Sequence, residues 1–377
     1  MDFAYTKEQE MLRKMVREFA EKELAPRALE LDAKEAFPFD IVRKMGGLGL
    51  VGLTTSKQYG GSAMGHLARA IAIEEISRIY APMGFFLQTG PLAMYALESF
   101  GSEEQKKKYL PALCKAEKIG AFALTEQSGG SDPSGMQTVA RVEGDGYLVN
   151  GRKAFISLPE VSDVVAFVAK TGDSFSAFLV EKGTPGFEVT RREPRLGLRT
   201  IPVNEFALTN CKLPKSNLLG QEGRGLVIAL TTISVIGRMG AAAIGLGLAR
   251  GTYEAAVKFA KERKLYGKTE ADLQAVQFAL VDMNVEIEAA RWLVYYAAWL
   301  LDQGKSAREV GTEIARAKLY ACDLANRLAP KAVQLMGGYG LAPEYHVARR
   351  LADGLELLPA AGAQEVMRAT IARAALA

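Results

Sequence analysis

Three glycine-bearing stretches stand out as places where a ligand could be held or a reaction carried out. Thr125-Glu126-Gln127-Ser128-Gly129-Gly130-Ser131-Asp132 sets two glycines between hydroxyl side chains, so backbone N–H groups can approach a polar, flat or phosphorylated ligand closely. A plain connector has the same composition. Glu262-Arg263-Lys264-Leu265-Tyr266-Gly267-Lys268 and Gln334-Leu335-Met336-Gly337-Gly338-Tyr339-Gly340 end helical stretches with glycine, the first with basic residues as well. Capping of helix C-termini accounts for both, so none of the three identifies a ligand alone. Only two histidines occur, His66 and His346, and Cys114, Cys211 and Cys322 are far apart with no Cys-x-x-Cys spacing. Neither a metal site nor a disulfide framework is expected, and chemistry must lean on another group or a cofactor.

The elements that position these stretches fall into three blocks. Thr6-x-x-Gln9 is a capping box, followed by Met11, Leu12, Met15, Val16, Phe19 and Ala20 at helical spacing. Further helices are expected around 40–46, 65–79 and 89–100, and Ser102-x-x-Gln105 starts another toward Pro111. From about 122, short β-rich runs alternate with turn residues, and Asp145-Gly146 and Asn150-Gly151 predict tight turns between antiparallel strands. After about 225 the helical period returns over 226–263, 272–303 and 307–336, the last opened by Ser306-x-x-Glu309. The small-residue run Gly237–Gly251 admits a close neighbour, either a packed helix or a flat ligand. The reading is an α+β chain with a helical domain over 1–121, an antiparallel β-barrel-like domain over 122–225 and a four-helix bundle over 226–377.

At 377 residues, 49% hydrophobic and 24% charged, the chain can bury a large core. Its +4 net charge is interspersed, which argues against nucleic acid or a polybasic membrane patch as partner. The opening MDFAYTKEQE has an acid where a signal peptide needs a basic start, and no run reaches about 18 uninterrupted apolar residues. A cytoplasmic protein is expected.

The order of these features is more specific than any one of them. A helical half containing SEEQKKKYLP, the TEQSGGSD loop, ERKLYGK at a helix end, QLMGGYG and then EYHVARRLAD together resemble the acyl-CoA dehydrogenase family across essentially the whole chain. The resemblance implies a homotetramer with one FAD per subunit. Phe122, Leu124 and Thr125 would face the flavin, and Phe155, Ile156 and Ser157 its other edge. Arg263, Gln274, Gln334 and Gly338 would hold the pyrophosphate and adenosine of a neighbouring subunit's FAD. Ser131, Arg238 and Gly362 match positions along the acyl-CoA channel, and electron-transferring flavoprotein is the usual acceptor.

The family reaction takes a proton from the carbon alpha to the thioester while hydride leaves the beta carbon for the flavin, which requires a base. By the resemblance, the usual Glu position is Ala361, in Pro359-Ala360-Ala361-Gly362-Ala363, and the alternative position is Gly237. Neither is a carboxylate. Glu356 and Glu365 lie near the gap and are expected to be solvated charges, and Ala363 replaces a family Thr that helps hold FAD. The segment Phe85–Tyr95, expected to border the acyl pocket, holds no Asp, Glu or Arg, which disfavours a charged acyl tail. The alternatives are an acyl-CoA oxidoreductase with its base elsewhere or dispensable, a desulfinase, a base-less subunit of a mixed oligomer, and a flavin monooxygenase.

Overall fold

The computed structural model describes residues 4–376. Side-chain capping sets the first helices. Thr6 Oγ1 accepts from Gln9 N at 3.2 Å while Gln9 Oε1 accepts from Thr6 N at 3.1 Å, opening α1 (Lys7–Phe19) with Leu12, Val16 and Phe19 buried. Ser102 and Gln105 repeat the device at α5 (Glu103–Cys114). Between them lie α2 (Ala28–Lys34), α3 (Phe39–Gly47) and α4 (Gly65–Phe100).

Helix α4 is not one rod. Its backbone leaves the helical region at Tyr80 (φ −145°, ψ 93°), two residues before Pro82, whose ring cannot tolerate the carbonyl four residues earlier. That carbonyl, of Arg78, accepts from Arg350 Nη2 at 3.2 Å, and Ile79 O accepts from Arg349 Nη2 at 2.9 Å. The second half folds back on the first. Arg69 Nη2 lies 3.0 Å from Leu87 O, whereas eighteen residues of straight helix would span about 27 Å. Gly84 permits the approach, since a β-carbon there would come within 1.9 Å of Ser77 Oγ.

The middle domain is an eight-stranded sheet in the order β6-β7-β3-β2-β4-β5-β8, with β1 beside β4. Its strands are β1 (Gly120–Ala123), β2 (Val139–Glu143), β3 (Gly146–Ser157), β4 (Val164–Thr171), β5 (Ser174–Glu181), β6 (Phe187–Arg192), β7 (Val203–Pro214) and β8 (Leu218–Leu219). Pairing is antiparallel except that β4 runs parallel to β1 and β2. Glu143 pairs with Gly146, closing the hairpin expected near Asp145. Asn150-Gly151 is different. It lies inside β3 at a register shift against β7, with Gly151 at φ +155°. The dipeptide serves a bulge rather than a turn, because both features need the same backbone freedom.

The C-terminal helices are α6 (Gly225–Thr232), a π-helical turn over Ile233–Arg238, α7 (Met239–Glu262), α8 (Gln274–Asp302), α9 (Gly311–Met336), α10 (Val347–Glu356) and α11 (Gln364–Leu376). The run Gly225–Glu262 is long and apolar enough to cross a membrane, but it is mostly buried. Its small residues let neighbours come close: β-carbons at Gly245 and Gly247 would meet the backbones of α9 and α4 at 2.6 Å. Tight helix packing accounts for this part of the small-residue run. Ser306 and Glu309 make their reciprocal bonds, although the α-helix begins later, at Gly311.

Candidate active site and cofactor groove

At the entrance to the sheet, a buried ion pair fixes the Thr125–Asp132 loop. Lys153 Nζ, fully buried, reaches Glu126 Oε1 at 2.8 Å and Leu124 O at 3.1 Å. Glu126 also accepts from Gln137 N and Thr138 N. Burial draws the Lys153 ammonium down to about 8, against the pull of Glu126. Burial likewise pushes the Glu126 carboxyl up, but Lys153 outweighs it and leaves the group below its usual value. Ala154 N donates to Thr125 O at 3.1 Å, so β3 and the loop after β1 form one rim.

Phe122, Leu124 and Ile156 are buried in this rim, with Thr125 and Ser157 partly open. Phe155 stands out, 65% exposed with φ +54°. An exposed aromatic is here held on a backbone conformation that is unfavourable for any residue with a β-carbon. Ser131 lies at the exposed end of the loop.

The two positions expected to carry a base converge. A β-carbon added at Gly237 would lie 3.2 Å from Ala361 Cβ, 3.6 Å from Leu92 Cδ2 and 3.7 Å from Ile233 Cγ2. A carboxylate from either position would enter the same small volume, which here is lined by hydrocarbon. Ala361 (φ +55°) and Gly362 (φ +109°) form a turn whose carbonyl at Ala361 accepts from Arg238 Nε at 3.3 Å. Arg238 has no acidic partner among the described residues, and burial lowers its pKa.

Lys318 was not singled out in the sequence, where it reads as an ordinary helical lysine. It is fully buried on α9 and donates to Leu358 O at 2.8 Å and Gln364 Oε1 at 2.9 Å, holding both ends of the Ala361 turn. Burial, with Arg238 nearby, holds its ammonium below the usual lysine range. The groups next to the empty base position are therefore cations. Glu356 is not a solvated charge: it accepts from Arg195 Nη2 at 2.5 Å and Gly197 N at 3.2 Å, tying the loop before β7 to α10. Asp353 adds a bond from Leu198 N at 2.7 Å. Glu365 is exposed and pairs with Arg368.

The helix-end motifs meet at a second place. Arg263 lies over the Tyr339 ring at 5.3 Å, and Phe259 packs against Tyr339 and Tyr345. This brings the ERKLYGK and QLMGGYG stretches together. Arg263, Gln274, Gln334 and Gly338 are all exposed.

A helical domain, a sheet and a helical bundle meet at the rim, an architecture shared with known acyl-CoA oxidoreductases. The chain matches the acyl-CoA dehydrogenase N-terminal domain over residues 6–117, the middle domain over 121–211 and the C-terminal domain over 223–376. It is 41% identical to the short-chain specific acyl-CoA dehydrogenase of Clostridium acetobutylicum, covering 98% of each chain. It is 39% identical to the caffeyl-CoA reductase-Etf complex subunit CarC of Acetobacterium woodii over 93% of each. Butyryl-CoA dehydrogenase from Megasphaera elsdenii superposes with a TM-score of 0.96 at 36% identity over the whole of both chains. The chain belongs to the acyl-CoA dehydrogenase family and is an FAD-dependent oxidoreductase of that class.

Proposed function

We propose that this protein exchanges hydride between FAD and the beta carbon of an acyl-CoA thioester at a site where no side-chain carboxylate takes the alpha proton. Bound FAD supplies the redox chemistry. The chain's own residues supply position. Phe122, Leu124 and Thr125 with Phe155, Ile156 and Ser157 would flank the flavin ring. Arg263, Gln274, Gln334 and Gly338 would receive a neighbouring subunit's pyrophosphate and adenosine, Arg263 by its planar fork. Arg238, Gly362 and Ser131 would line the acyl-CoA channel.

The observation that carries this reading is the approach of Gly237 to Ala361 in a volume bounded by Leu92 and Ile233. Any proton acceptor must come from elsewhere, since the nearby polar groups Arg238 and Lys318 are both donors. A cationic surround favours the enolate-like charge that develops on the thioester oxygen while the alpha proton passes to solvent water or, in the reverse direction, returns from it.

The four outward-facing groove residues support a tetramer in which one subunit completes another's FAD site. So does α8, whose Phe278, Val281, Val285, Trp292 and Tyr296 present an exposed apolar face at helical spacing. The named Etf complex subunit among the relatives supports an electron-transferring flavoprotein as redox partner, and the cytoplasm is the proposed compartment. The test is anaerobic titration of the purified yellow protein with short acyl-CoA thioesters. Loss of the oxidised-flavin absorbance supports the reading. A chain that takes up no flavin under any assembly sinks it.

A further inference from the structure

Going one helical turn from the Ala361–Gly237 contact, along α4 from Leu92 to Gln88 and along α7 to Gly240, leads to a second group of polar side chains. Gln88 is 2% and Arg69 4% exposed. A β-carbon placed on Gly240 would meet Gln88 Cγ at 2.6 Å and Arg69 Nη2 at 3.0 Å, so the two side chains share one spot against α7. Both hold the π-helical turn: Arg69 Nη2 donates to Ile236 O at 3.1 Å and Gln88 Nε2 to Gly237 O at 3.0 Å.

These bonds leave much of the guanidinium unused. Arg69 Nε is sealed from solvent without a partner, and so is Gln88 Oε1. No carboxylate among the described residues lies within ion-pair distance of Arg69, which donates to the carbonyls of Leu87 and Ile236. A buried cation with no counter-charge is costly, and proteins nearly always pair it. Burial depresses its pKa to about 9, which leaves it charged at neutral pH. The fold nevertheless keeps it against Gln88 and Gly240, about one helical turn along α4 and α7 from Leu92 and Gly237, which border Ala361.

We propose that Arg69 is a specificity residue at the closed end of the acyl pocket, where it receives a carboxylate at the far end of a short acyl chain. The proposal rests on the acyl-CoA reading above and refines it to thioesters of short dicarboxylic acids. Gln88 makes the pocket end polar, and the charge of Arg69 sets the sign of what binds there. The segment Phe85–Tyr95 has no charge of its own to do this; the fold-back of α4 at Tyr80 brings the cation in from the preceding half-helix.

The test uses unreactive CoA thioethers, so binding is read without turnover. Calorimetry on the FAD-loaded enzyme compares S-carboxypropyl-CoA with S-butyl-CoA. Wild type is expected to prefer the carboxylate by about tenfold or more, the size of a charge-assisted hydrogen bond. Arg69→Met is expected to remove the preference while retaining S-butyl-CoA affinity, and Arg69→Lys to keep part of it. Flavin content and unfolding temperature verify each variant, and the Lys variant serves if the Met variant does not fold. Equal preference in wild type and both variants overturns the proposal, as does an equal loss of both ligands in Arg69→Met, the mark of a purely structural clamp. Failure of both ligands to bind wild type, with FAD in place, instead overturns the acyl-CoA reading beneath it.

Discussion

The packing of α4 on α7 buries charge at two places, and the two are built in opposite ways. Around Glu74 and Glu75 every charge finds an opposite. Glu74 Oε1 accepts from Arg250 Nη1 at 3.0 Å and Arg291 Nη2 at 2.9 Å, and its Oε2 accepts from Tyr295 Oη at 2.6 Å. Glu75 pairs with Arg13, Arg78 and Arg250, and Arg78 and Arg250 reach on to Glu254. Elsewhere, Arg69, Arg238 and Lys318 are buried or partly buried with backbone and amide oxygens for company but no acid among the described residues. Pairing on one side locks α1, α4, α7 and α8 together. On the other side, positive charge is left over where an anionic substrate or a developing enolate would meet it. A buried charge without a partner carries more functional information than a buried charge with one.

Restoring the missing acid gives the sharpest break in this contrast. Ala361→Glu places a carboxylate beside Arg238, at a position that already carries a β-carbon at φ +55°. Acyl-CoA dehydrogenation should rise by about 10²–10⁴-fold, the usual contribution of a placed general base. Stopped-flow flavin reduction measures it, and an unchanged rate would show that the Ala361 turn does not face the alpha carbon. On the paired side, Glu74→Ala should lower stability by about 3–5 kcal/mol, because it strips Arg250 and Arg291 of a buried acceptor. Arg69→Met removes no counter-charge and should lose only about 1–3 kcal/mol, the value of its bonds to Leu87 O and Ile236 O. Urea unfolding compares the two; if Arg69→Met is the more damaging, the distinction between paired and unpaired sites fails.

Much of this layout could be read from the sequence, and what was hidden follows a pattern. The capping boxes at Thr6 and Ser102 and the returning helical period after 225 are local, so they carry over into structure. The π-helical turn is not local. Ile233–Arg238 contains no proline, and its shape is held by Arg69 and Gln88 from another element. The same holds for Lys318, which nothing in the sequence marks and tertiary packing buries, and for Glu356, expected as a solvated charge but paired with Arg195. The break at Tyr80 had a visible cause in Pro82, yet its consequence, Arg69 set against Leu87 and the π-helical turn, exists only once the two halves fold back. The resemblance placed Ala361 and Gly237 at two alternative base positions, and only the fold shows them to be one volume.

The smallest effect at neutral pH concerns His66, on the first turn of α4 close to Arg69. Its Nδ1 is sealed without a partner, and burial, reinforced by the Arg69 charge, draws its pKa from 6.5 to about 4. Between those values the unfolded chain binds a proton that the native state refuses, so stability must fall as pH drops through this window. Asp302, whose oxygens accept from His66 N at 2.6 Å and Leu67 N at 2.9 Å, is pushed the other way by burial and offsets part of the slope. His66→Leu leaves Asp302 in place and removes only the imidazole. Urea midpoints at neutral pH and near pH 5 should therefore differ less in the variant than in wild type. Equal differences would mean that His66 takes up its proton in the folded state, which a neighbouring unpaired Arg69 cation would oppose, and so would count against an uncompensated charge at that end of the pocket.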